Sequence, residues 1–485
     1  MVSRRTVVAG IAASLGCGIV DAKFTRAAAA VPSVDSGRLP VVSGPVTGGA
    51  KGRPFGSYFG NVEEFGYVER EYFIEGTAMR YRPVGALAED GLWTVEPAGE
   101  VPYKTRIRVL VPRDPTRFNG TVMVEWANVS SGYDISFADP RGLFDGFAYV
   151  SVSAQRVGVH GYPTDKPMGL LQWDPERYGS LSIPGDSISY DIYSQAARLL
   201  RPGRPRSGLD PLAGLEVRKL IAIGGSQSAA RLAAYVNAIQ PRDRLFDALM
   251  LAVYAGAATN FEDTTKAQAI DPAVRMGSRI PTRLRGLSVP VMVVNSEAET
   301  MAYFPVRQPD GPRFRYWEVA GASHGPSGQM KRLDRLTQRD GIARSMGADN
   351  LSDVPWLATA DAAILHVHNW INGGPPPPRQ QRIVVEGTPP AIVRDRYGNA
   401  RGGVRLPEMD VPIATYLGRD DAKGGAGPLG RTIPFPSEQL RRLYPTHADY
   451  VRKVSAAAAA ARKRGVLPSY SADEYKARAQ AAQVP

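Results

Sequence analysis

The sequence predicts an α/β fold: a mostly parallel sheet covered by helices on both faces, with antiparallel strands at its start. Three observations carry this. Two early segments alternate apolar and polar residues, the period of half-exposed antiparallel strands. Further on, short continuous apolar runs are separated by stretches with helical periodicity, the pattern of a sheet buried on both sides. Finally, "LIAIGGSQSAARLAAYVNAI" (220–239) passes from an apolar strand through a knot of small residues straight into a helix.

In chain order, the alternating segments are "REYFIEGTAMRYRPV" and "YKTRIRVLVPRD". "TVMVEWANVSSG" and "FAYVSVSAQRVG" begin the apolar runs, and "SISYDIYSQAARLL" sets Ile188, Ile192 and Leu199 at helical spacing before the strand that leads to Ser226. "LFDALMLAVYAG", "VPVMVVNSEAE" and "RFRYWEVAGASHG" supply three more strands. The insertion from Val253 to Gly286 is long enough for a lid; its Tyr254 and Phe261, with Tyr303 and Phe304 further on, read equally as pocket wall or as core. "TADAAILHVHNWING" is a helix closed by Gly373-Gly374, and Pro375 to Pro378 form a stiff extended connector. In the tail, "HADYVRKVSAAAAAARKRG" is helical with a closely packing alanine side, and the next helix opens on Ser471 and Glu474, spaced as a capping box. The expected divisions are an address over residues 1–30, a main domain over 31–374 and a C-terminal extension over 375–485.

With 485 residues and 43% hydrophobic content the chain can bury a sizeable core. Its formal charge is +12, but no block of lysine and arginine is concentrated enough for a nucleic-acid groove, so the charge is read as a solvated surface and no nucleic-acid partner is expected. Arg4 and Arg5 precede an apolar run from Val7 to Val20 and the small-residue stretch Ala27 to Ala30, which resembles a twin-arginine export signal cleaved near Ala29 or Ala30. That run is shorter than the roughly 20 residues a bilayer span needs. The expected protein is therefore exported, periplasmic or extracellular, with no stable membrane insertion once the signal is gone. Cys17, the single cysteine, lies inside this segment, and Ser14 stands where a lipoprotein signal wants an aliphatic residue. Removal takes Arg4, Arg5, Lys23 and Arg26 together with Asp21, lowering the formal charge from +12 to +9. It also leaves no cysteine for a disulfide, a thiolate metal site or a nucleophile.

Ser226 sits in the knot with Gly224 two before it and Ser228 two after. A strand-to-helix turn this tight strains its central residue and needs small flanks, the logic of a nucleophile elbow; on the local pattern alone, Ser226 or Ser228 reads as well as a helix N-cap. A nucleophilic serine needs an imidazole to take its proton and a carboxylate to orient the imidazole. Both follow: Glu297 and Glu299 stand just past the strand of "VPVMVVNSEAE", and His324 lies in a glycine-flanked loop past the next strand. His160 precedes Ser226, His366 and His368 are two apart on a helix and so face different ways, and His447 starts a tail helix; these four are read as structural. Donors for a tetrahedral oxyanion are expected from the Gln227 amide and from the loop at Asn128, whose side chain reads as well as an Asx turn.

Serine, acid and histidine in this order resemble the α/β-hydrolase superfamily, and "VEWANVSSGYD", "GGSQSA", "NSEAE", "GASHG" and "GNARGGVRLP" together resemble a poorly characterised family of exported bacterial α/β-hydrolase-domain proteins. The resemblance implies the α/β-hydrolase fold with a lid-like insertion and a C-terminal extension, and a Ser226, Glu299 or Glu297, His324 triad. Laying "NSEAE" on the family's acid-bearing turn favours Glu299, with Glu297 the alternative. The expected activity is cofactor-free hydrolysis of small-molecule carboxylic esters, with acyl transfer, a cofactor-free lyase or a non-catalytic binding protein as alternatives. Substrate specificity and oligomeric state are not read from the sequence.

Replacing Arg4 and Arg5 together with lysine is expected to stop export, and N-terminal sequencing of exported protein to start near Val31. Normal export of the double variant overturns the signal assignment.

Overall fold

A computed structural model of the protein describes residues 39–136, 140–162, 168–204, 208–263, 279–342, 350–422 and 425–485. The expected export signal lies outside the described residues, as does the middle of the insertion, 264–278. Among the described residues nine strands join in one sheet: β1 (Val41–Ser43), β2 (Tyr67–Pro83), β3 (Val95–Pro112), β4 (Thr121–Trp126), β5 (Ala148–Val152), β6 (Lys219–Gly225), β7 (Ala248–Ala252), β8 (Val291–Ser296) and β9 (Phe314–Val319). Their spatial order is β1-β2-β3-β5-β4-β6-β7-β8-β9. The two alternating segments form the long antiparallel pair β2–β3, and β4 to β9 run parallel to one another. Strand order reverses around β4, so the loop after β4 and the turn after β6 emerge side by side at the carboxyl edge, where open α/β sheets build their sites.

Successive residues of the parallel strands enter different cores because side chains alternate across a strand. Val122, Val124, Leu220, Ala222, Leu249, Leu251, Val291 and Val293 pack on one face, against α1 (Ser189–Leu200) and α2 (Gln227–Ala234). Met123, Ile221, Met250, Met292 and Trp317 pack on the other, against α4 (Trp356–Ile371) and the tail helix α5 (His447–Lys463). A third helix, α3 (Ser327–Arg339), follows the loop after β9, and α6 (Ser469–Ala481) closes the chain. No helix among the described residues is long and apolar enough to cross a membrane.

The tetraproline is fastened to β9: Arg315 Nε donates to the Pro377 carbonyl at 2.9 Å and Trp317 Nε1 to the Pro378 carbonyl at 2.8 Å. Beyond it, Val404, Leu406, Tyr416, Val454 and Ala458 are buried in the same core as Trp317, and Ala458 and Ala461 supply the closely packed alanine side.

One sequence expectation is corrected and one open reading is decided. The last helix starts at Ser469, two residues before Ser471, because the extended Pro468 stands at its N-cap position and helical geometry begins directly after it. Ser471 is therefore buried inside the first turn, and Glu474 pairs with Arg141 instead of capping. The insertion's Tyr254 and Phe261, and Tyr303 beyond it, belong to the core: the rings of Tyr190 and Phe261 meet tilted at 4.6 Å, and Tyr303 bridges Tyr254 and Tyr316 at 5.8 and 4.5 Å.

The four other histidines are tied into the scaffold. His366 Nε2 lies 2.8 Å from the Gly465 carbonyl, His368 Nδ1 2.8 Å from Thr121 Oγ1, and His447 Nδ1 2.9 Å from the Val484 carbonyl. His160 Nε2 accepts the Ile183 amide at 3.1 Å, and burial, with Arg156 nearby, pushes its imidazole down to about 4. Below the ordinary value of 6.5 the unfolded chain takes up a proton that the folded chain refuses, so this group's stabilisation is lost as pH falls from about 6.5 to about 4. Urea melts across that window are expected to show a shallower loss of stability for His160→Gln than for the parent.

Candidate active site

The turn after β6 holds Ser226 at φ 57°, ψ −115°, a backbone region that a side chain enters only under strain. Its neighbours are shaped to that turn. A Cβ on Gly224 would meet the Ser228 carbonyl oxygen at 2.9 Å, so only glycine lets strand and helix approach this closely. Ser228 Oγ accepts the Gly225 amide at 3.0 Å and donates to the Gly225 carbonyl at 2.9 Å; it is fully buried and serves the turn. Ser226 N donates to the Ala252 carbonyl at 3.0 Å, fixing the turn to β7.

His324 follows β9 on a loop anchored by its own amide, which donates to the Pro428 carbonyl at 2.9 Å. Its Nδ1 lies 2.6 Å from Glu299 Oε1, with the histidine side chain 26% exposed and the glutamate 5%. Glu299 is aimed by a capping box at the end of β8: Oε2 accepts the Ser296 amide at 3.1 Å and the Ser296 hydroxyl at 2.6 Å, leaving Oε1 for the imidazole. Glu297 faces elsewhere. It accepts the Gly321 amide at 2.7 Å, Arg394 at 3.0 Å and the Gly418 amide at 3.3 Å. With Nδ1 spent on Glu299, the imidazole keeps Nε2 for the cavity that both His324 and Ser226 line.

Asn128 is corrected as an oxyanion donor. Its backbone N–H donates to the Ile135 carbonyl at 3.1 Å, and its Nδ2 donates to the Gly225 carbonyl at 2.9 Å. Its Oδ1 accepts the Ser130 amide at 2.9 Å, the Asx turn that was its other reading. Asn128 thus braces the turn that carries Ser226. The Val129 amide, next in the chain, donates to the Gln227 side-chain oxygen at 3.4 Å.

Beneath the Gln227 side chain runs a buried polar chain. Gln227 Nε2 donates to Gln155 Oε1 at 2.9 Å, Gln155 Nε2 to Asp186 Oδ2 at 2.9 Å, and Arg231 also to Asp186 Oδ2 at 2.9 Å; Trp126 Nε1 donates to Gln155 Oε1 at 3.1 Å. This fixes the first turn of α2 against β4 and the loop after β5.

The cavity measures about 1350 Å³. Its walls come from the segment around Tyr58 and Phe65, from β3 and β5 through Leu110 and Tyr149, from α3, and from the tail through Tyr416, Leu429 and Tyr470. Burial, with Glu125 beside it, holds the Tyr149 phenol well above its usual range and hence protonated.

A sheet of this order, with a strained serine after β6 and a carboxylate–histidine pair after β8 and β9, defines an α/β-hydrolase. The family model described as "Alpha/beta hydrolase domain" matches residues 42–477, and the chain belongs to that family. No curated protein matches it. Among solved structures it is similar to the esterase Est22, with 13% identity over 64% of this chain and 84% of that one and a TM-score of 0.34. It is also similar to an α/β serine hydrolase without a lid from Xanthomonas campestris, with 12% identity over 56% and 96% of the two chains and a TM-score of 0.28.

Gln155→Leu strands the Gln227 amide and removes a donor from Asp186 within the core. Urea denaturation is expected to read a loss of about 2 kcal/mol, the usual cost of orphaned buried polar groups.

Proposed function

We propose that the protein is a serine hydrolase of carboxylic esters, and the single observation that carries this reading is the 2.6 Å contact between Glu299 and His324 at a cavity shared with Ser226. Ser226 Oγ attacks the ester carbonyl carbon while His324 Nε2 takes its proton. Glu299 holds the imidazolium that forms. The carbonyl oxygen, now an oxyanion, is met by the amides of Gln227, at the N-terminus of α2, and Val129. The C–O bond to the alcohol breaks as His324 returns its proton to the leaving oxygen, leaving an acyl-Ser226 ester. Water then attacks that ester with His324 again as base, releasing the carboxylic acid and restoring the serine. Glu297 acts apart from this chemistry, holding Gly321 and Gly418 and thereby the path of the histidine loop. The arginine pair and apolar run at the N-terminus support an exported enzyme.

Ser226→Ala is expected to lower ester turnover by about 10⁴-fold or more, because a triad lacking one member retains little of its rate. A fluorophosphonate is expected to label Ser226 and not Ser228. Glu299→Gln should lower kcat by several orders of magnitude with an unchanged melt, whereas Glu297→Gln should lower the melting temperature first. A larger loss of kcat in Glu297→Gln, at unchanged stability, would exchange the two roles. Absence of labelling at Ser226 overturns the hydrolase reading in favour of a binding protein.

A further inference from the structure

Resting on the hydrolase reading above, we infer that the site is built for esters carrying a large, uncharged apolar group, long-chain or polycyclic. The cavity of about 1350 Å³ exceeds the roughly 300–1000 Å³ that encloses most small ligands. One wall is an aromatic shelf: Phe65 and Phe144 stack at 4.1 Å with their planes within 12°, and Tyr58 meets both edge-on. Phe65 is 37% exposed, a large apolar ring left open where it lines the cavity. Further apolar lining comes from Leu333 and Leu336 on α3, both only partly buried. Folding thus leaves apolar surface on the walls of the cavity that the serine and histidine also line, and covering such surface is what an apolar substrate group gains on binding.

Three of the wall arginines are tied to carboxylates, and Arg332 and Arg335 lie over the rings of Tyr58 and Phe59 at 5.6 and 5.7 Å. Arg108 binds Glu69 at 2.8 Å, Arg478 binds Glu408 at 2.9 Å, and Arg141 binds Glu474. The Asp353 and Asp361 carboxylates accept the hydroxyls of Ser327 and Tyr470. A sugar ester would have to compete for these groups, and an acetyl or ethyl group would leave most of the shelf wet. A chain of several methylenes, or a fused ring system, fits both the volume and the lining. Which side of the scissile bond carries it is read by the experiment.

Two substrate series test this: p-nitrophenyl esters from acetate to dodecanoate, below their micelle concentrations, and acetates of alcohols from ethanol to decanol. In at least one, kcat/KM is expected to rise roughly two- to fourfold per methylene up to eight carbons or more, the gain expected for burying each one. Phe65→Ser and Leu336→Asn, both at partly exposed positions, are each expected to lower the decanoate-to-acetate ratio by about tenfold through KM. If one variant fails to fold, the other still reads the wall it belongs to. A flat or falling profile beyond four carbons in both series, with Ser226 still labelled by fluorophosphonate, overturns this inference and leaves the hydrolase reading standing. No labelling and no turnover of any ester instead overturns the hydrolase reading. In that case calorimetric titration of Ser226→Ala with p-nitrophenyl decanoate and acetate still decides the cavity, with decanoate expected at least about 30-fold tighter and equal affinities counting against it.

Discussion

The strained backbone of Ser226 is the constraint on which the rest of the site depends. At φ 57°, ψ −115° it stores on the order of 1–3 kcal/mol, and it persists because its surroundings leave no relaxed alternative. The Gly225 carbonyl is gripped from two sides, by Ser228 Oγ and Asn128 Nδ2, each at 2.9 Å. β6 is paired on both edges, with β4 and β7, so the strand cannot shift to relieve the turn. From this turn Ser226 lines the cavity, and the Gln227 amide stands at the start of α2, where helix amides have no carbonyl one turn back to satisfy them. Loosening any of these holds lets Ser226 fall back toward ordinary backbone and moves its side chain and the Gln227 amide together.

Glu297 and Glu299 show how two identical side chains, two residues apart, acquire different work from their neighbours. Glu299 is wrapped over the end of β8 by Ser296, which uses one carboxylate oxygen and frees the other for His324. Glu297 is drawn the opposite way by Arg394 and by two backbone amides from segments far apart in sequence. The glycine at 418 is required there, since a Cβ would meet the Glu297 Cβ at 2.5 Å. Together with the Pro428 carbonyl that anchors His324, these contacts make the segment beyond the tetraproline a structural part of the site.

What was legible in the sequence is what has a local cause. The six parallel strands announce themselves because residues buried on both faces must be apolar, and the antiparallel pair because one period alternates; Ser226 was visible because glycine and serine are needed where strand meets helix. His324 and a carboxylate before it were legible as chain order, which left Glu297 and Glu299 both open. The remainder depends on tertiary partners that no short segment encodes. Asn128 looked like a donor to the cavity, but Gly225 and Ser130 claim its side chain. Tyr254, Phe261 and Tyr303 looked equally like wall and core because an aromatic ring carries no mark of which side it will face, and only their stacking partners decide for the core. Phe65 and Leu336, which line the cavity, sit in unremarkable stretches remote from every motif.

The final helix brings these threads together. Tyr470, Glu474 and Arg478 are spaced four apart on α6, so they share one face, and all three line the cavity. Tyr475 and Ala479 are buried and anchor the helix, with the Tyr475 hydroxyl donating to Glu408 at 2.9 Å. The cavity-facing pairs are unequal. Arg141 and Glu474 are about half exposed, and such a pair contributes at most about 1 kcal/mol; Glu408 is buried, so its contacts with Arg478 and Tyr475 weigh more. The helix is therefore held at both ends by buried groups, Tyr470 on Asp361 and Ser471 in its first turn, Tyr475 and Arg478 on Glu408 further on, while the exposed Arg141–Glu474 pair between them adds little.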